Sequence, residues 1–372
     1  MIPRSAMART SRTAASLVSL ALLLCAHPVC ADPPEVPDSR DRSAVGRSRE
    51  RGESRLDSEP AAVAEPVPAA CDRQCLQELT DDYLRALLAH DVHQLPLAEG
   101  ARFTETGQEL SLGDGFWRTV SGAGGFRLYV PDVQGGEVGF LGTLKEFGTP
   151  VLMALRLKVV SRRISEVETQ FHRHGSGPPW ADAGVAALDA AGADPVWVAP
   201  IPPAARATRE SLIAVAAAYL AGMERYDARA SYPLAPDCVR VEDGARVTHN
   251  PAVVIGGHGF NLAALGCYDQ LRSGWFSSIT RMHHRRIIAD PDYGLALAWV
   301  NIDQAGSKSV TLIDGRALPT PALAQPLGTQ AVYAFRIENG LIHRIESLTT
   351  RVPYHMSPGW EGGAPATIAA GH

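Results

Sequence analysis

The chain is 372 residues long, with 45% hydrophobic residues, 20% charged residues and a formal net charge of −5. This is ordinary globular composition at a length sufficient for two domains, which excludes a collagen-like or mostly disordered chain. The charge balance gives no reason to expect nucleic acid as a partner. No apolar run reaches the roughly 18–20 residues that a membrane span requires.

At the N-terminus, Arg4, Arg9 and Arg12 precede an apolar run over residues 14–26, and Val29-Cys30-Ala31 places small residues at a cleavage site. That order predicts a secretory signal peptide over 1–31 and an exported protein, periplasmic or secreted. A lipoprotein signal fits less well, because Leu24 and Val29 precede Cys25 and Cys30 where a small residue is wanted. Residues 32–70 lack aromatic residues and contain a single leucine, Leu56. Such a segment buries too little apolar surface to offset chain entropy, so it is expected to be a disordered linker. The tail over 361–372 is expected to be flexible.

Cleavage leaves Cys71, Cys75, Cys238 and Cys267. In an oxidising compartment an even number of cysteines reads as disulfides, and four allow about three full pairings. The local pairing, Cys71 with Cys75 and Cys238 with Cys267, is the expected one. Two close thiols without neighbouring histidines make a poor metal site.

From Cys71 to Trp360 one pattern occurs twice. Each half opens with an amphipathic helix, around Tyr83-Leu84 and around Tyr219-Leu220. Next comes Ala98 to Gly107 in one half and Ala235 to Gly244 in the other. Gly148-Thr149 then leads a strand with Arg156 and a following strand with Glu166; Gly328-Thr329 leads one with Arg336 and one with Glu346. Spacing between equivalents grows from 136 to 180 residues, so the second half must hold insertions. Ordered matches of this kind point to an internal duplication. The expected domains are 71–175 and 208–360, joined by an Ala/Pro-rich connector over 176–207. Alternation in Val151 to Val159 and in Ala331 to Glu338 predicts strands, with Asn339-Gly340 as a hairpin turn. Helix first and antiparallel strands afterwards argue α+β.

Candidate chemistry concentrates in the second half. Asp269, within Cys267 to Arg272, could be a base whose pKa is raised by Trp275 and Phe276, or a helix cap or ion-pair partner. In Thr280 to Ile287, Met282, His284 and Arg286 share one face, and His284 could act as acid or base; the competing reading is a solvated basic face. Asp303 ends a strand and could complete an acid–Arg–acid arrangement, or serve turn chemistry. Tyr268, Arg272, Trp275 and Arg281 are candidate substrate-binding residues. Trp117, delivered by the turn at Gly113-Asp114-Gly115, could line a pocket mouth or pack in a core. The histidines are too sparse for a metal site, and no phosphate-loop or nucleophile motif is present, so no cofactor is expected.

The helix, the F/V-x-x-E-x-G strand and the final sheet resemble the NTF2-like superfamily in its SnoaL-like branch. The similarity is closest to exported tandem proteins with Cys-x-x-x-Cys-Leu (Cys71 to Leu76), Phe-Thr-Glu-x-Gly (Phe103 to Gly107), Gly-Asp-Gly-x-Trp (Gly113 to Trp117) and Val-Pro-Tyr-x-Met-x-x-Gly-Trp (Val352 to Trp360). The resemblance implies two tandem cones, each a curved sheet around helices and an internal pocket. It implies either a cofactor-free lyase or isomerase (dehydratase-like) on a hydrophobic or aromatic small molecule, or a non-catalytic ligand-binding or protein-interaction module. It also implies sheet-to-sheet pairing of the two halves as an intramolecular pseudo-dimer. Arg156 and Arg336 would sit on the paired faces, opposite Met153, Leu155, Leu157, Tyr333, Phe335 and Ile337.

Overall fold

The computed structural model describes residues 70–360 except Ala228, and omits the side chains of His284 and Arg285. The expected signal peptide, nearly all of the linker and the tail lie outside the described residues. Those described fall in one compact unit, Glu65–His372. Among them, no helix is long and apolar enough to cross a membrane.

The chain opens with α1 (Arg73–Ala89), capped by Asp72, whose carboxylate accepts from the Cys75 amide. Leu76, Leu79, Tyr83, Leu84 and Leu87 recur at helical spacing, and all are buried. Then follow β1 (Leu97–Glu105), β2 (Gln108–Glu109), β3 (Val120–Asp132), β4 (Glu137–Glu146), β5 (Thr149–Val160) and β6 (Arg163–His172). The connector carries α2 (Pro179–Ala191) and α3 (Pro195–Val198).

The second half begins with α4 (Arg209–Arg225), capped by Thr208. It continues with β7 (Leu234–Glu242), β8 (Ala245–Arg246), β9 (Gly256–Gly257), β10 (Phe260–Asn261) and α5 (Cys267–Arg272). It ends with β11 (Arg281–Asp290), β12 (Leu295–Gln304), β13 (Ser309–Thr311), β14 (Ala317–Pro319), β15 (Leu327–Glu338) and β16 (Leu341–Val352).

Two six-stranded sheets result, ordered β2-β1-β6-β5-β4-β3 and β8-β7-β16-β15-β12-β11. The two orders correspond strand for strand. Each sheet is antiparallel except for one parallel pair, β1 with β6 and β7 with β16. This is the expected α+β class. Register shifts in β3 and β11 mark bulges, which bend a strand and help a sheet curl around its helix. The insertions lie between β7 and β11 and between β12 and β15, where the first half has only a short segment and the Phe147-Gly148 turn.

The structural register corrects one sequence-based match. Ser161-Arg162 and Asn339-Gly340 are the equivalent hairpin turns, all four residues with positive φ. Equivalent residues of β5/β6 and β15/β16 are therefore 178 positions apart rather than 180. Lys158 corresponds to Arg336, and Glu168 rather than Glu166 to Glu346. A slip of two keeps every side chain on its own face, so the alternation pattern could not reveal it.

Met153, Leu155 and Leu157 face α1, and Tyr333, Phe335 and Ile337 face α4, each within its own core. A third apolar cluster joins Leu128, Leu141, Leu152 and Ala154 to Ile288, Leu297, Trp299, Val332 and Leu348, so the opposite faces of the two sheets meet. Gly139 permits this contact, because a Cβ there would stand 2.4 Å from Leu297. Arg156 lies in this layer on Glu137 and Glu168, at 2.9 Å each. Two reciprocal ion pairs flank it. Arg73, the first residue of α1, pairs with Asp290 at the end of β11, and Arg209, the first residue of α4, pairs with Asp132 at the end of β3.

Candidate functional site

Both cones are built alike, but only one is filled by its own side chains. In the first half, Phe116 and Trp117 plug the interior. Trp117 is 2% exposed and its indole N–H donates to the Tyr83 hydroxyl at 3.0 Å, while Phe116 packs on Phe171 at 4.3 Å between ring centres. Trp117 is thus core packing rather than a pocket mouth.

The second half carries an open-mouthed cavity of about 310 Å³, near the lower end of the range for small-molecule sites. The first insertion contributes Ile255 and Leu262, the turn before β11 contributes Trp275 and Phe276, and the second insertion contributes Leu323. These walls are apolar. Polar groups enter from β7, β15 and β16, and from His172 at the end of β6 in the other half.

Alternation along β7 turns Cys238, Arg240 and Glu242 to the inner face. The Cys238–Cys267 disulfide, with Cα atoms 5.9 Å apart, ties α5 to this strand. It brings buried Gln270 to Arg240, whose Nη1 donates to the Gln270 side-chain oxygen at 3.4 Å. Gln270 is itself held by donating to the Val247 and Leu262 carbonyls. Arg240 is 4% exposed and forms an ion pair with Glu242 through Nη2, and its Nε has no hydrogen-bond partner. Burial opposes its charge, but Glu242, Tyr219 and Tyr333 outweigh that, and the guanidinium is held firmly protonated. Burial pushes the Glu242 carboxyl above its ordinary value, with Arg240 opposing and Asp243 adding to the rise. Burial likewise raises the Tyr219 and Tyr333 phenols, both kept as neutral hydroxyls beside Arg240.

Beside this group, Asp243 is 1% exposed and accepts from the Thr349 amide at 2.8 Å and the Thr349 hydroxyl at 2.7 Å. His172 Nδ1 lies 3.3 Å from the same carboxylate and 3.2 Å from the Thr349 carbonyl. Burial pulls the imidazole pKa down, but the hydrogen bond and charge of Asp243 outweigh it and the net direction is upward.

Of the residues singled out from sequence, Trp275 lines the cavity, stacked on Phe260 at 6.0 Å. Asp269 does not; it is exposed on α5, beside Arg272, Asp314 and Arg316 at a shallow groove. Tyr268 is exposed and donates to the Ala230 carbonyl, with the Arg272 guanidinium 5.4 Å from its ring. Asp303 is 3% exposed, yet it lies on the opposite face of β12 from the cavity-lining Ile302 and Gln304. There it pairs with the exposed Arg281 at 2.8 Å and accepts from the His355 amide. Asp269, Asp303, Arg281 and Tyr268 are therefore separate from the cavity, because strand parity and the outward face of α5 turn them away. The backbone of His284 pairs with Val300, and its side chain lies outside the described residues. Both expected disulfides form, Cys71–Cys75 stapling the first turn of α1. No cluster of His, Cys, Asp or Glu suited to a metal occurs among the described residues.

Sequence reasoning missed Arg240, Glu242, Tyr333 and His172. One signal could have found the first two: charged residues two and four positions after a disulfide cysteine in a strand share that cysteine's inward face.

A family model described as "Domain of unknown function (DUF8021)" matches residues 205–349. No curated protein matches the chain. Among solved structures, an epoxide hydrolase from M. tuberculosis is 14% identical, covering 38% of this chain and 84% of its own, with a TM-score of 0.22. SalBIII, an epoxide hydrolase/cyclase-like enzyme of pyran ring formation in salinomycin, is 12% identical, covering 39% and 97%, with a TM-score of 0.27. A de novo designed protein with a curved β-sheet is also 12% identical, covering 38% and 87%, with a TM-score of 0.23.

Proposed function

We propose that the second half is a cofactor-free acid–base site, isomerase-like, for a compact and largely apolar small molecule bearing a carbonyl or comparable oxygen. The observation that carries this is one partly buried carboxyl of raised pKa, Glu242, set beside the buried Arg240 guanidinium and the neutral Tyr333 phenol at the polar end of a cavity whose other walls are apolar. In such a site Glu242 takes a proton from carbon. Arg240 and a phenolic O–H stabilise the negative charge that develops on oxygen.

The first half acts as scaffold in this reading, with its cone filled by Trp117 and Phe116. The halves form an intramolecular pseudo-dimer, supported by the shared apolar layer and by the reciprocal Arg73–Asp290 and Arg209–Asp132 pairs. Export is supported by two disulfides, which persist in oxidising compartments. A binding module is the second reading. It is favoured by the way Arg240 is already engaged by Glu242 and Gln270.

Deuterium uptake from D2O into cyclohexanone, followed by NMR, separates the two readings without knowledge of the natural substrate. The acid–base site predicts uptake by the wild type and a roughly 10²–10⁴-fold loss in Glu242→Gln. Uptake at the background rate by the wild type, with cyclohexanone still bound, refutes catalysis and leaves the binding module.

A further inference from the structure

The connector is held at two unequal ends. Towards its C-terminus α2 is fixed. Asp189 accepts from the Gly125 amide at 2.8 Å and the Thr143 hydroxyl at 2.7 Å, and Val185 is buried in the layer between the sheets. Gly184 lies against the β7–β8 turn, where a Cβ on it would stand 2.5 Å from the Ala245 amide nitrogen. The N-terminal end hangs on Asp182. Its carboxylate accepts from the Gly175 amide at 3.1 Å and lies 3.3 Å from His174 Nδ1 and 3.8 Å from His172 Nε2. The segment between, with Ser176, Gly177, Pro178 and Trp180, forms part of the cavity wall.

His172, at the end of β6, sits beneath this segment. It is 2% exposed, and a Cβ on Gly177 would stand 2.7 Å from its Cε1. Its Nδ1 faces two acceptors, the Thr349 carbonyl at 3.2 Å and the Asp243 carboxylate at 3.3 Å. The neutral ring therefore keeps its proton on Nδ1 and its lone pair on Nε2. That Nε2 is buried without a hydrogen-bond partner. Neutral, the ring turns a lone pair towards the Asp182 carboxylate; charged, it turns an N–H towards the same oxygen. One proton thus reverses the sign of the contact between β6 and α2.

We propose that His172 and Asp182 form an acid-operated latch on the connector: the charged ring bridges Asp243 of the β7–β8 turn to Asp182 of α2 and holds residues 175–182 against the cavity, and the neutral ring releases them. The latch governs access to the cavity, whether the cavity catalyses or only binds. Charged groups face His172 from every side. Asp243 and Glu242 come from the end of β7, where Arg240 is already paired with Glu242. Asp182 comes from α2 and is shared with His174. Arg173 next in the chain is engaged by Glu105 and Glu146, Arg351 of β16 lines the cavity, and Glu346 accepts from Gly244 beside Asp243. Burial pulls the imidazole pKa down, but Asp243, with Thr349 and Asp182 adding, outweighs it. A folded value raised above the unfolded one means that the latch is fully closed below the ordinary histidine pKa and opens as pH rises through the raised midpoint.

The test titrates the full chain. ¹⁵N-histidine NMR, with His172→Gln assigning the resonance, should show a neutral Nδ1–H tautomer and a midpoint that falls in Asp182→Asn. Hydrogen exchange, corrected for its intrinsic pH dependence, should show protection of the Gly175, Ser176 and Ala181 amides falling roughly three- to tenfold through the same midpoint. The Gly192 amide, beyond the fixed end of α2, should show no such step. In 5-fluorotryptophan-labelled protein the Trp180 resonance, assigned with Trp180→Phe, should move with that midpoint too. His172→Gln should abolish the step, and the milder Asp182→Asn should carry it downward with the histidine midpoint. A step that survives His172→Gln, a midpoint indifferent to Asp182→Asn, or an equal step at Gly192 overturns the latch. A Trp180 resonance unmoved by pH overturns its link to the cavity.

Discussion

Replacing Glu346 by Gln should stabilise the protein, and only above a defined pH. Glu346 lies on β16, 3% exposed, on the face turned away from the cavity. Its carboxyl accepts from the Gly244 amide at 3.2 Å. The close approach of α2 seals this corner: a Cβ on Gly244 would stand 2.4 Å from the Gly184 carbonyl oxygen. Burial pushes the carboxyl from 4.5 up to about 8; the Gly244 hydrogen bond opposes this and the charge of Asp243 adds to it. A folded pKa above the unfolded one means the stabilising contribution is complete below about pH 4.5 and lost as pH rises to about 8. The interval corresponds to about 5 kcal/mol, which local relaxation reduces to roughly 2–4 kcal/mol. Gln preserves the bond from Gly244 and never ionises. Urea unfolding at pH 4.5, 6, 7 and 8.5 should therefore give nearly equal stabilities at the lowest pH and a growing advantage for Glu346→Gln above it. A difference independent of pH, or a variant less stable throughout, refutes the reasoning.

Three further outcomes follow from the same contacts. Cys238→Ser with Cys267→Ser opens a loop of separation 29; it should cost about 2–4 kcal/mol in chemical denaturation and, by releasing α5 and Gln270 from Arg240, weaken cyclohexanone binding by NMR titration. Trp117→Ala removes the plug of the first cone and should cost about 3–5 kcal/mol, yet leave that binding unchanged in a folded preparation, since the occupied cone is the other one. Truncation after Pro353 deletes the strap that binds Asp303 through the His355 amide, Asn301 through the Met356 carbonyl and Thr104 through the Trp360 indole; the melting temperature should fall by several degrees, and an unchanged value would show that the strap contributes nothing to joining the halves.

Local patterns alone determined the elements that depend on neighbours along the chain. Helical spacing of Leu76, Leu79, Tyr83 and Leu84, alternation in Val151 to Val159, and the Asn339-Gly340 turn each carry their own physical signal. The α+β class and both disulfides were legible for the same reason, the disulfides because each pair is local. Tertiary structure decided what those patterns cannot encode. Alternation is blind to a shift of two, so only the hairpins fixed which residues of the two halves correspond. Parity placed Asp303 with Leu295 and Trp299, but only the packing of two sheets made that face the layer between the halves rather than the cavity wall. Burial, not spacing, raised Glu242 above the usual carboxylate range. His172 entered the site through the meeting of two sheets, across 71 positions of sequence from Asp243, a juxtaposition that no short-range pattern contains.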